Sequence, residues 1–197
     1  MKFLIYVAAI IFLPVLQAAD EFSELPAEIK ITISEKGYLS AKPALKEYIN
    51  SNPESYSGYS ALGKAAALEG NYKQSINYLE QAKKIKENEN IQDASIYNSL
   101  GWVKFLNGDT QGAIDYIETA VKEKNNLDPK VAEAALNNLG LIYMYNNENE
   151  KAISIFDKAI SDYDSKYARD NLVLINNLKN SRERKANEVR ANNYEFK

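Results

Sequence analysis

The side chains that most often carry enzyme chemistry are missing from this chain of 197 residues, which contains no cysteine and no histidine. Their absence excludes a Ser-His-Asp triad, a thiol nucleophile, a disulfide framework and a zinc site built from the usual ligands. Carboxylates are abundant, but Glu80, Asp115 and Glu118 lie in helical patterns with lysines nearby. Such an arrangement is typical of a solvated helix surface.

Sequence motifs for bound ions and cofactors are equally scarce. Asp162, Asp164 and Asp170 are only loosely similar to a calcium loop, because the turn glycine and the closing glutamate are missing. No phosphate loop, dinucleotide fingerprint or nucleophile elbow occurs. We therefore predict that the chain is not an enzyme and has no catalytic, cofactor-binding or metal-binding residue. A sugar hydrolase with a carboxylate pair stays open as an alternative, since one sequence does not select a pair.

Three segments repeat one pattern in the same internal register. Each contains a Leu-Gly pair, then a small residue, a bulky apolar residue and an alanine. These positions are Leu62-Gly63, Ser75, Leu79 and Ala82; Leu100-Gly101, Ala113, Ile117 and Ala120; and Leu139-Gly140, Ala152, Phe156 and Ala159. A glycine inside a helix costs about 1 kcal/mol relative to alanine, so three at one register predict close packing against the small residues. A unit of this size does not close a core alone and must stack on its neighbours.

The pattern resembles the tetratricopeptide repeat, a helix–turn–helix unit of about 34 residues with the signature W-x2-L-G-x2-Y…A-x3-F. Tyr59 and Tyr97 match the first aromatic position, Leu136 replaces it, and the later tyrosine appears only as Tyr143. The resemblance covers roughly Gly37–Asp164. It implies an all-α fold, namely an α-solenoid of about three to four such repeats closed by a C-terminal capping helix.

We predict three parts along the chain. They are a signal peptide at 1–19, a repeat array at 20–165 with a degenerate unit at 26–53 and units at 54–88, 92–126 and 129–164, and a capping helix with a polar tail at 166–197. Residues 20–25 are polar and expected to be loose. The basic residues of the tail are expected to be solvated; they are Arg182, Arg184, Lys185 and Arg190.

The start of the degenerate unit is open to two interpretations. Ile29, Ile31 and Ile33 alternate with polar residues, as in an edge strand. Pro26 and Gly37, in contrast, stand where a helix begins and ends.

The first residues are typical of a secretory signal peptide. Lys2 precedes an apolar run from Phe3 to Leu16, which is short for crossing a bilayer. Cleavage is expected after Ala18 or Ala19, with an uncleaved anchor or a buried helix as the alternatives. We therefore expect an exported bacterial protein, either periplasmic or secreted.

The resemblance also implies where a partner would bind, because the first helices of such repeats line a concave groove. The side chains expected in that groove are Lys64, Asn98, Trp102, Phe105, Asn137, Leu141 and Tyr145. Asn98 and Asn137 share one register, and an amide can pair with a peptide backbone. Trp102 offers an anchor of the kind enriched in interfaces, although a neighbouring unit could instead cover both Trp102 and Phe105. The basic carboxylate clamp of some family members is not reproduced.

These observations lead to two hypotheses about function. The main one is an adaptor that binds a protein or peptide segment in the groove, within a cell-envelope assembly. The alternative is a scaffold that self-assembles through the solenoid ends or through the Ile29-Ile31-Ile33 segment, which would make the protein a homo-oligomer. The net charge of −3 does not favour a nucleic acid partner. Membrane contact is expected only through an uncleaved leader.

Overall fold

The computed structural model describes residues 22–123 and 128–194, with side chains described up to Lys185 except for Arg182 and Arg184. The predicted signal peptide lies outside the described residues, and so do the side chains of Arg182, Arg184 and Arg190 in the tail. The described chain forms eight helices and no strand, which confirms the all-α prediction. They are α1 Ala27–Ser51, α2 Tyr56–Leu68, α3 Tyr72–Glu89, α4 Ser95–Leu106, α5 Thr110–Lys122, α6 Pro129–Tyr145, α7 Asn149–Tyr163 and α8 Lys166–Tyr194.

Residues 27–51 form helix α1, which decides between the helix and the edge strand that the sequence left open. Ile29 and Ile33 are buried and Ile31 is 53% exposed, as expected when the two buried residues lie one helical turn apart. The edge-strand alternative is therefore wrong. Gly37 interrupts α1 with φ 79° and ψ 171°, a conformation that glycine adopts more readily than other residues.

Helix–turn–helix hairpins build the rest of the described chain. Gly70 and Gly108 have positive φ and end the first helices of two hairpins, and Asn147 does the same in the third. The second helices α3 and α5 begin with side-chain caps, because Asn71 and Asp109 each accept a hydrogen bond from a backbone N–H three residues later.

The chain divides into two compact units between Ala135 and Leu136, inside α6. In the first unit, each of the helices α1 to α4 packs on the next one along the chain. In the second unit, α7 packs on α8 and on the second half of α6. No described helix is both long enough and apolar enough to span a membrane.

The three repeated glycines occupy equivalent surroundings. A Cβ added at Gly63 would lie 2.5 Å from side-chain atoms of Leu79, and one added at Gly140 would lie 2.7 Å from Phe156 Cδ1. Real Cβ atoms essentially never approach so closely, so the two helices of each hairpin need a glycine here. The close approach expected from the sequence is confirmed.

The residues that face these glycines are partly those expected from the sequence. Ser75 Oγ donates a 2.6 Å hydrogen bond to the carbonyl of Gly63, and the backbone oxygen of Ala113 lies 2.8 Å from a Cβ added at Gly101. The bulky residue one turn further along is nevertheless the nearest neighbour in every hairpin. Each glycine therefore receives a large side chain, and at Gly63 and Gly101 the small residue lies beside it.

Candidate partner-binding surface

Five of the seven predicted groove residues recur at equivalent positions of the first helices; Phe105 and Tyr145 do not. In α6, Asn137, Leu141 and Tyr145 follow each other at i, i+4 and i+8 and form one stripe. In α4, Asn98 and Trp102 have the same spacing, and in α2 Lys64 stands at the register of Trp102.

The structure buries five of these seven side chains. Lys64, Asn98, Trp102, Asn137 and Leu141 are each exposed by 6% or less. Phe105 is half-buried, and Tyr145 is 46% exposed. Contact between these residues and a partner stays a prediction, and the two accessible aromatic side chains are where it is best tested.

Lys64 is a buried cation held between two aromatic rings. Its Nζ lies 5.2 Å from the ring centroid of Phe22 and 5.7 Å from that of Tyr38. The negative faces of the rings stabilise an ammonium that has lost much of its hydration. The part of Lys64 in this structure is therefore an internal contact with the N-terminal end of the described chain.

Trp102 and Phe105 pack on each other on α4. Their ring centroids are 5.4 Å apart and the ring planes are tilted by 42°. Such a pair adds to the stabilisation from buried apolar area. The structure thus brings these two predicted residues together, with Phe105 as the more accessible of the two.

Asn137 is joined to a residue that the sequence analysis missed. Asn171 of α8 is buried, and its Nδ2 donates a 2.9 Å hydrogen bond to Asn137 Oδ1. Asn137 Nδ2 is also buried and has no hydrogen-bond partner in the described part of the chain. A sequence signal for this role of Asn171 was available, because it is a polar residue between Ala168 and Ile175, which are on the buried face of α8. The unsatisfied group of Asn137 is therefore a buried donor.

The N-terminal segment, which we define as Phe22–Leu25, was wrongly expected to be loose. Phe22 and Leu25 are buried in the core of the first unit. The carboxylate of Glu24 accepts hydrogen bonds from Ser55 and Ser57 at the start of α2. The sequence did contain a signal for this burial, because Phe22 and Leu25 are apolar and stand three residues apart just before Pro26.

Two tyrosines of the first unit, Tyr97 and Tyr116, stack with their ring centroids 6.4 Å apart. Burial, followed by a hydrogen bond to Glu80, raises the pKa of Tyr116 well above its usual range. Burial and the negative charges of Glu123 and Glu87 raise the pKa of Tyr97. Both phenols therefore stay neutral at physiological pH and act as packing and hydrogen-bonding groups.

Two exposed carboxylates pair with lysines at the turns. A hydrogen bond from Lys104, helped by the backbone N–H of Gly112, lowers the pKa of Asp109. A hydrogen bond from Lys151 does the same for the pKa of Glu148. Both pairs stabilise the ends of helices. Among the described residues, no three acidic side chains come close enough together to hold a metal ion.

The sequence profile of the tetratricopeptide repeat matches this chain at residues 56–89, 94–127 and 133–161, which are the three hairpins described above. The chain belongs to the tetratricopeptide-repeat family. Repeats of this family typically serve as protein–protein interaction modules without catalytic activity. No curated protein matches the chain.

Solved structures of other tetratricopeptide-repeat proteins share the fold. MamA is 24% identical, with 71% of this chain and 76% of that chain covered and a TM-score of 0.58. TTC0263, a thermophilic protein of Thermus thermophilus, is 18% identical over 87% of this chain and 97% of that chain, with a TM-score of 0.59. The N-terminal domain of stress-induced protein-1 from C. elegans is 16% identical over 61% and 94% respectively, with a TM-score of 0.53.

Proposed function

We propose that this tetratricopeptide-repeat protein is an exported adaptor that binds a peptide or protein segment through its first helices, within an assembly of the cell envelope. The family supports the binding of protein partners, and the leader-like sequence supports export. The mechanism is preorganisation: helices that are already packed lose little conformational freedom on binding.

The observation that carries this proposal is the stripe on α6. It combines the ring of Tyr145, which is 46% exposed, with the buried side chains of Leu141 and Asn137 behind it. A peptide offers a complementary group, namely an apolar or aromatic side chain that packs on the exposed ring of Tyr145. The stripe thus suits a peptide better than a phosphate or a metal ion.

Tyr145→Glu tests the stripe on α6, because it places a charge at an exposed position and should leave the fold intact. We expect this variant to lose proteins that the unaltered chain captures from an envelope extract. Tyr167→Glu is the matched control, since Tyr167 is 40% exposed and lies on α8 outside the stripe. Equal capture by both folded variants would reject the proposed surface on α6.

Phe105→Glu tests the surface of α4 in the first unit independently. Its side chain is half-buried, so circular dichroism must first show that the helices are retained. We expect this variant to capture less of the proteins that the unaltered chain captures. Capture at the level of the unaltered chain would remove α4 from the proposed surface.

Export is tested by the mass and N-terminal sequence of the protein isolated from cell fractions. We expect a chain that begins at Ala19 or Asp20 in the periplasmic or secreted fraction. An intact chain confined to the cytosol would contradict the proposed export.

Self-association is the second candidate function. Val173 is 59% exposed and Leu178 is 46% exposed on α8, which leaves apolar surface in contact with solvent. Sedimentation equilibrium over a wide range of protein concentration tests this candidate. An increase in mass that Leu178→Glu prevents would support it, and a monomer at every concentration would reject it.

A further inference from the structure

The turn between α4 and α5 contains a chemically reactive pair of residues. Of the eight glycines in the sequence, only Gly108 follows an asparagine. Asparagine is one of the thermolabile residues. The backbone nitrogen of the next residue can attack its side-chain amide, and glycine hinders this attack least because it has no side chain. Asn107–Gly108 is therefore the place where the sequence is most open to this reaction.

The corresponding turns of the other two hairpins lack this pair. Glu69 stands before Gly70 in the first hairpin, and its carboxylate is a poor target for a peptide nitrogen. Asn146 stands before Asn147 in the third hairpin, where the side chain of the second residue hinders the attack. The reaction is thus expected in the turn of the second hairpin rather than in all three.

Asparagines that precede serine are the next most open to attack, and they lie inside helices. These pairs are 50–51 in α1, 98–99 in α4 and 180–181 in α8. In a helix the attacking nitrogen is held in a hydrogen bond to the preceding turn. These pairs are therefore less open than Asn107–Gly108.

The folded turn exposes the side chain of Asn107 but restrains the attacking nitrogen. Asn107 is exposed, and its amide makes no hydrogen bond within the described part of the chain. The N–H of Gly108 donates a 3.0 Å hydrogen bond to the carbonyl of Phe105. The N–H of Asp109 donates a 2.9 Å hydrogen bond to the carbonyl of Lys104. The two bonds form the Schellman motif that ends α4.

The backbone torsion angle at Asn107 also opposes the reaction in the folded turn. Its ψ is −1°, so the nitrogen of Gly108 eclipses the backbone nitrogen of Asn107. A five-membered ring forms only when that nitrogen eclipses Cβ instead, beside the side-chain amide. The Cα–C bond must therefore rotate, which displaces Gly108 and breaks its hydrogen bond to Phe105.

We propose that Asn107–Gly108 is a modification site, where asparagine is converted to isoaspartate and aspartate when the turn between α4 and α5 opens. In the opened turn, the nitrogen of Gly108 loses its proton to base and attacks Cγ of Asn107. A carbon–nitrogen bond forms, the side-chain nitrogen leaves as ammonia, and a succinimide ring results. Water then adds to one of the two ring carbonyls and breaks its bond to nitrogen, which yields isoaspartate or aspartate.

The isoaspartate product does not fit the folded turn. It directs the main chain through Cβ and Cγ of residue 107, which adds one carbon atom before Gly108. The hydrogen bonds from Gly108 and Asp109 to α4 depend on the original spacing, and Asp109 also caps α5 by accepting from the N–H of Gly112. The new carboxylate lies at the C-terminus of α4, where the helix dipole disfavours a negative charge. One opening of the turn thus leaves a lasting change in the second hairpin.

The test is peptide mapping by mass spectrometry of the full chain after incubation in mildly alkaline buffer. We expect the peptide that contains Asn107 to gain the mass of an exchange of NH2 for OH and to separate into isoaspartate and aspartate forms. In urea, which opens the turn, this peptide should react at least about tenfold faster. Asn107→Gln is the control for the chemistry, because the larger ring that its side chain would form closes slowly, and its peptide should stay unchanged.

Asp109→Ala tests whether opening of the turn limits the reaction. It removes the cap of α5 and the ion pair with Lys104, so the folded variant should modify Asn107 at least about threefold faster than the unaltered chain. Asp109→Asn is the matched control, because asparagine retains the cap. It should react more slowly than Asp109→Ala, and circular dichroism must show that both variants keep their helices.

Equal rates in buffer and in urea would overturn the proposal, and so would a folded chain in which another asparagine reacts before Asn107. Equal rates in folded Asp109→Ala and Asp109→Asn would overturn it as well, since the turn would then not control the reaction. If Asp109→Ala loses its helical circular dichroism, the comparison of the unaltered chain in buffer and in urea decides.

Discussion

Tyr116 Oη donates a 2.9 Å hydrogen bond to Glu80 Oε1, which joins the second helices α5 and α3 of two successive repeats. The ring of Tyr116 also stacks on Tyr97 of α4. One side chain thus contacts both helices that flank the junction between the repeats. The contacts between repeats in the first unit are therefore partly polar and specific, in addition to the apolar core.

Tyr116→Phe should reveal the strength of this junction at neutral pH. The substitution keeps the ring and removes a hydrogen bond to a carboxylate in a half-exposed position, so we expect a loss of about 1 kcal/mol in the free energy of unfolding. Urea denaturation at pH 7 measures it. A loss below about 0.3 kcal/mol would show that water replaces the hydrogen bond without cost.

The same substitution should change how stability depends on alkaline pH. The pKa of Tyr116 is raised in the folded state, so its contribution is complete below the ordinary tyrosine pKa of about 10 and decreases as the pH rises towards the folded value. The unaltered chain should therefore lose stability between about pH 10 and 12 more steeply than Tyr116→Phe does. If the free energy of unfolding fell equally with pH in both proteins, this interpretation would be contradicted.

Gly101→Ala should destabilise the second repeat more than Gly63→Ala destabilises the first. An added Cβ at Gly101 meets the backbone oxygen of Ala113 at 2.8 Å, whereas at Gly63 the contacts below 3 Å are all with the side chain of Leu79. Overpacking typically costs about 1 to 3 kcal/mol, and a backbone atom moves less readily than a side chain. Urea denaturation of the two variants should give this order, and the reverse order would be evidence against it.

Asp109→Asn separates the charge of Asp109 from its capping role, because asparagine is an equally good N-cap. The pKa of Asp109 is lowered in the folded state, so the carboxylate stabilises the fold above about pH 4 and this effect is lost as the pH falls through the folded value. At pH 7 we expect a loss of less than about 1 kcal/mol, since the group is exposed. The variant and the unaltered chain should be equally stable near pH 2, and a difference persisting there would point to lost geometry.

Asn171→Ala should cost about 1 to 3 kcal/mol, because it leaves Asn137 Oδ1 buried without its donor. Adding Asn137→Ala removes that orphaned group, so the double variant should be more stable than the sum of the two single changes predicts. A double-mutant cycle in urea measures this coupling. Strict additivity would show that the amide pair contributes nothing as a pair.

The sequence predicted the repeat because the helices of every hairpin approach each other closely at Gly63, Gly101 and Gly140. The need for a glycine at this contact involves two helices that are near in sequence, and it recurs in every repeat. The sequence therefore shows glycine at a regular interval. The turns at Gly70 and Gly108 were readable for a similar reason, since positive φ restricts the residue type.

The alternation of Ile29, Ile31 and Ile33 left helix and strand open, because so short a pattern fits both. The neighbours decided between them, since Ile29 and Ile33 pack into the same core as Phe22 and Leu45. The partner of Asn137 was also not predicted, because a polar residue on the apolar face of α8 does not specify which distant residue it contacts.

By itself, the sequence determined the fold class, the repeat register and the lack of the usual catalytic side chains, because these depend on residue types and on spacing within a unit. Only the tertiary structure decided that Lys64 is enclosed by Phe22 and Tyr38, and that Glu24 accepts hydrogen bonds at the start of α2. Those contacts join parts of the chain far apart in sequence. Their geometry is set by how the helices pack, which no single segment encodes.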